Sequence, residues 1–230
     1  MKPSGRDRLI IALDVGTRAE AISLALTLAP FAAWMKIGFQ LFTAEGPDLV
    51  RAICETGAKV FLDLKLHDIP NTVARAVESA VGLDVQMLTL HLCGGSAMVK
   101  AAVAAAPPEL LLLGVTVLTS SDDATLREIG VASAMEEQVL RLAKFGVDAG
   151  IGGVVASPRE ISALRSAHGS KIKIVTPGIR PVGAATQDQR RVLSPGEAIK
   201  AGADFLVIGR PITAATDARR ALDQIVADAV

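Results

Sequence analysis

The sequence contains no tyrosine, one tryptophan and six phenylalanines. That scarcity removes the interleaved aromatic platform on which single-stranded nucleic acids stack. Neither sign of charge prevails, since 24 basic and 24 acidic side chains cancel at pH 7. No overall field therefore draws the chain to nucleic acid or to an anionic membrane, although a local anion site is compatible with the balance. Cysteine is scarce as well. Cys54 and Cys93 stand apart and form no CxxC pair, which argues against a zinc knuckle or a disulfide framework and predicts two buried free thiols. The most apolar stretch, residues 110–118, falls far short of the roughly 20 residues of a membrane helix. Lys2, Arg6 and Arg8 lie at the start, but the apolar run behind them is broken by Asp14 and no small-residue cleavage site follows. These absences together predict a cytoplasmic protein.

What the chain does have is a repeating alternation. Apolar runs that are β-branched or leucine-rich recur at 9–14, 34–38, 60–65, 87–91, 111–116, 153–156, 172–176 and 205–209. Between them lie alanine-rich segments with helical periodicity, among them 18–29, 48–56, 72–80 and 97–105. Strand followed by helix, eight times over, implies parallel pairing with the helices outside. The longest interval, 119–152, holds two helical candidates at 121–129 and 135–149 and so reads as structured insertion. The first turn, Asp14-Val-Gly-Thr17, lacks the GxGxxG of a doubly wound sheet. The expectation is an α/β fold: a single (β/α)8 TIM-barrel domain over residues 1–230, with its active site at the carboxyl ends of the strands.

Polar residues close these runs consistently. Asp14 ends the first, Lys36 lies late in the second, Asp63 and Lys65 close the third, His91 ends the fourth and Thr119 follows the fifth. Asp63 and Lys65 are two apart, which on a regular strand places both on one face. At about 4 Å and an effective dielectric of about 20, their attraction of roughly 4 kcal/mol offsets desolvation of the ammonium. Beyond the seventh and eighth runs, Gly178 with Arg180 and Gly209 with Arg210 offer close-approaching amides and forked donors, the usual phosphate site of such a barrel. Each residue also has a plainer reading. Asp14 is a helix cap, Lys36 a solvated rim charge, Asp63 with Lys65 a structural ion pair, and His67, His91 and His168 are ordinary histidines. Convergence of so many charges on one barrel end favours the functional reading. Asp63, His67 and Asp68 suit a metal by residue type, but Lys65 sets a competing cation among them, so no metal is expected.

Seven motifs then stand in register: Ala12-Leu-Asp14, Lys36-Ile-Gly38, Asp63-Leu-Lys65-Leu-His-Asp68-Ile69-Pro-Asn-Thr72, Val117-Leu-Thr119-Ser, Thr176-Pro-Gly-Ile-Arg180-Pro, Asp188-Gln189-Arg-Arg and Ile208-Gly-Arg210-Pro. In this the chain resembles the orotidine 5′-monophosphate decarboxylase family over nearly its whole length, in the compact bacterial form. The resemblance implies a cofactor-free, metal-free decarboxylation of orotidine 5′-monophosphate to uridine 5′-monophosphate in pyrimidine synthesis. Lys65 is then the catalytic lysine, flanked by Asp63 and Asp68, with Lys36 continuing the charged row and touching the ribose. Asp14 binds a ribose hydroxyl, Thr119 lies at the pyrimidine amide, and Arg180, Gln189, Gly209 and Arg210 hold the phosphate. The segment from Gly178 to Gln189 closes as a lid. Asp68, Ile69 and Thr72 reach the neighbouring subunit's site, which implies a homodimer. Two other readings compete. Metal-dependent sugar-phosphate decarboxylases and aldolases of the same barrel group share a DxKxxD strand, but typically carry a glutamate where this chain has Lys36. A non-catalytic nucleotide-binding dimer has little need of a buried charged row.

Overall fold

The computed structural model describes residues 5–180 and 193–229. Eight parallel strands close into a barrel in chain order: β1 (Leu9–Ala12), β2 (Trp34–Gly38), β3 (Lys59–Leu66), β4 (Met87–His91), β5 (Leu111–Val115), β6 (Gly153–Val155), β7 (Lys173–Thr176) and β8 (Phe205–Ile208). The barrel and its alternation are those expected from the sequence.

Side chains alternate along each strand, and the two faces feed two cores. Ile10, Ala12, Trp34, Phe61, Met87, Leu113, Val175 and Val207 pack together inside the barrel, while Ile11, Met35, Ile37, Leu62, Leu88 and Leu90 face outward into the layer shared with the helices. Each large aliphatic side chain buried this way contributes about 1.5–3 kcal/mol. On β6 the sequence supplies glycine where the neighbouring strands approach closely. A Cβ on Gly153 would stand 2.6 Å from the carbonyl oxygen of Lys173 and 2.8 Å from Leu113 Cδ2.

Local signals set the helices. Thr17 and Glu20 form a reciprocal capping box at the start of Arg18–Leu28, so Thr17, not Asp14, is the cap after β1. The insertion after β5 forms the two helices expected, Asp123–Glu128 and Met135–Ala149, the second ended by Gly150 at φ 99°. The span Phe39–Cys54 is helical on both sides of a kink at Gly46 (φ 68°) followed by Pro47. The helical periodicity of the sequence marks only 48–56, and Gly46-Pro47 is where the two halves part. The thiols need correction too: Cys54 is only half-buried and Cys93 is exposed. Among the described residues no helix is long and apolar enough to cross a membrane.

The expected regularity of β3 does not hold. Phe61 and Leu62 pair with Met87 and Leu88, but the next pairing is Leu66 with Leu90. Asp63, Leu64 and Lys65 thus stand opposite the single residue Thr89, and Lys65 takes a left-handed backbone with φ 52°. The two charges meet through a bulge, not through the two-residue period of a flat strand.

Candidate active site

A cavity of about 440 Å³ opens at the carboxyl ends of the strands, within the size range of small-molecule sites. It is lined by Asp14, Lys36, Asp63, Lys65, Thr119, Arg180, Gly209 and Arg210, the residues singled out from strand ends, together with Gly178. On the β1–β3 side the charges alternate. Lys36 Nζ lies 3.0 Å from Asp14 Oδ1 and 3.8 Å from Asp63 Oδ2, and Lys65 Nζ donates to the same Asp63 oxygen at 2.8 Å. The plain readings of Asp14 and Lys36 fail here, because Asp14 caps nothing and the Lys36 side chain is only 9% exposed.

The two lysines are not equivalent. Lys36 is buried between two carboxylates, whereas the Lys65 side chain remains 35% exposed toward the cavity. A row of two cations and two anions so placed leaves no uncompensated buried charge. Of the two cations, Lys65 is the one with a free approach to a ligand. Its main-chain N–H donates to Thr89 Oγ1 at 2.9 Å, and that hydroxyl donates in turn to Asp63 Oδ1 at 3.0 Å.

Across the cavity, β7 and β8 present the cationic side. Gly178, at φ 79°, supplies a turn that only glycine takes without strain, and it leads into Arg180. Arg180 is buried, donates to the carbonyl of Ile179 at 2.9 Å, and has its pKa pushed below the usual value by desolvation and then by Arg210. Two guanidiniums that raise each other's energy make a site an anion relieves.

Other expected residues fall elsewhere. Asp68, Ile69 and Thr72 are exposed and line no part of this chain's cavity; the Asp68 carboxylate accepts from the Ile69 N–H at 2.6 Å. Gln189, the rest of its Asp188-Gln189 motif and most of the expected lid lie outside the described residues. Gln40 lines the cavity and was not picked out from sequence, although it sits two residues beyond the end of β2, the signal that found the others; Val117, which also lines it, stands in the motif of Thr119. His91 is half-buried with its ring centroid 5.7 Å from that of His67, and its pKa is lowered by desolvation, then by His67 and Lys65. Among the described residues no three His, Cys, Asp or Glu side chains converge as a metal set.

The profile of the orotidine 5′-phosphate decarboxylase / HUMPS family matches residues 7–225. A protein of Opitutus terrae named orotidine 5′-phosphate decarboxylase is 52% identical over 223 residues, covering 96% of this chain and 97% of that one. One of the same name from Moorella thermoacetica is 50% identical, with 97% and 92% covered. Among solved structures, orotidine 5′-phosphate decarboxylase from Lactobacillus acidophilus superposes with a TM-score of 0.82 at 36% identity, covering 97% of this chain and 99% of that one.

Proposed function

The chain belongs to the orotidine 5′-phosphate decarboxylase / HUMPS family, and from that premise we propose that it is the carboxy-lyase that converts orotidine 5′-monophosphate to uridine 5′-monophosphate in pyrimidine biosynthesis. The observation that carries this reading is the Lys65 ammonium, held 2.8 Å from Asp63 and facing a cavity whose far side is Arg180 and Arg210. A phosphate on the two arginines directs the base of the nucleotide toward the charged row.

The reaction breaks the bond between C6 and the carboxylate. Carbon dioxide leaves, and the electron pair stays on C6 in the ring plane, where conjugation cannot spread it. The Lys65 ammonium stabilises that carbanion and passes a proton to C6; the neutral amine then regains a proton from solvent. Lys36 holds Asp63 and Asp14 in place, Asp14 binds a ribose hydroxyl, and Thr119 meets the pyrimidine amide. One electrostatic contact of this kind is worth roughly 3–4 kcal/mol, against the 20 kcal/mol or so of the largest enzymatic accelerations. Binding energy of the distant phosphate adds to that contact by orienting the ring and drawing it out of water.

The reaction uses no metal. What supports this is the Lys36 ammonium, which already fills the space between the carboxylates of Asp14 and Asp63. The working unit is a cytoplasmic homodimer in which Asp68, Ile69 and Thr72 complete the neighbour's site. The exposure of these residues, 66% for the apolar Ile69, supports that placement. The test is the loss of orotate-ring absorbance when purified protein meets orotidine 5′-monophosphate in chelator. Loss undiminished by the chelator is expected; no loss from folded protein would contradict the reading.

A further inference from the structure

Thr89 is fully buried inside the barrel, beside the apolar Met87 and Leu113. A hydroxyl there needs partners, and it has two that leave its proton no choice. The Lys65 N–H can only donate and the Asp63 carboxylate can only accept, so the hydroxyl accepts from the first at 2.9 Å and donates to the second at 3.0 Å. Its place in the sheet explains why a side chain does this. Between the pairs Leu62–Leu88 and Leu66–Leu90 the ladder is interrupted, and Thr89 alone faces the three bulged residues. The hydroxyl replaces the main-chain acceptor that a regular ladder would give Lys65.

We propose that Thr89 is a positioning residue for the decarboxylation: its hydroxyl clamps the left-handed main chain of Lys65 and, through Asp63 Oδ1, turns Asp63 Oδ2 toward both lysines. The proposal rests on Lys65 as the reacting group of the function given above. Without the clamp the Lys65 N–H loses its acceptor on β4, and Asp63 keeps its two cations but loses the bond that fixes its rotation. Thr89 touches no reacting atom; it acts through the two residues that do.

Two variants separate this from plain packing. Thr89→Val keeps the shape and removes the hydroxyl, whereas Thr89→Ser keeps the hydroxyl and removes a methyl group. Positioning requires kcat to fall roughly 10- to 100-fold in Thr89→Val, the size of effect that small misplacements of reacting groups produce. KM and affinity for uridine 5′-monophosphate should stay near wild type, and Thr89→Ser should keep most of the activity. If Val retains wild-type kcat, or Ser falls as far as Val, the proposal is overturned. Should Thr89→Val not fold, Thr89→Ala against Thr89→Ser carries the same comparison. Hydrogen exchange at the Lys65 amide gives a readout that does not need turnover: protected in wild type and Thr89→Ser, fast in the folded variant without a hydroxyl. Equal protection in all of them would also overturn the clamp. A wild-type protein that does not decarboxylate would sink the function while this exchange pattern still judged the clamp.

Discussion

Among the described residues only Lys65 and Asp84 combine a side chain with a positive φ. For an ordinary L-residue that conformation costs roughly 1–2 kcal/mol, and glycine escapes it. Lys65→Gly is therefore expected to be more stable than Lys65→Ala by about 1 kcal/mol in urea unfolding, the reverse of the usual order. A more stable alanine variant would show that the backbone is not strained. At His91 the sign follows from its depressed pKa. Above the ordinary value of 6.5 both folded and unfolded forms are neutral; below it the unfolded chain takes the proton first, so stability falls with pH. Unfolding midpoints should decline on acidification below that value, and His91→Gln should flatten the decline. Sequence made Asp14, Lys36, Asp63 and Lys65 legible because charge at the end of an apolar strand demands a reason. It was silent on Thr89, since threonine is at home in any strand and its partners arrive only through a bulge.

At the level of elements, the strand ends do the positioning and glycine sets their clearance. A Cβ on Gly38 would lie 2.9 Å from Lys36 Nζ and 3.3 Å from Asp14 Oδ1. Gly38→Ala should displace the flexible ammonium with little loss of stability and lower kcat/KM by roughly tenfold, as misplacement of a site group does. Gly153→Ala meets a backbone oxygen instead and cannot be relieved by a rotamer change. It should cost roughly 1–3 kcal/mol, read as a lower denaturant midpoint, with catalysis in the remaining folded protein unchanged. The strands were legible from their apolar runs almost to the residue, because a buried parallel sheet writes itself as unbroken hydrophobic segments. The register of β3 against β4 was not, for no local pattern separates a bulged strand from a regular one.

For the molecule as a whole, the question is whether one chain holds a complete site. If Asp68 serves its neighbour, Lys65→Ala and Asp68→Ala dimers are each inactive, yet a mixed dimer keeps one site with both residues intact. Co-expression of the two variants should restore about a quarter of wild-type activity, since half of randomly assorted dimers are mixed and each carries one good site. No recovery would place Asp68 outside the neighbour's site. The claim on which everything else depends is that Lys65 acts on the carbanion and not merely on binding, and one variant tests it. Turnover of orotidine 5′-monophosphate and affinity for uridine 5′-monophosphate should be measured side by side in Lys65→Ala. The expected result is a loss of kcat of at least about 1,000-fold with product affinity preserved. A folded variant that loses both in parallel would contradict the catalytic role.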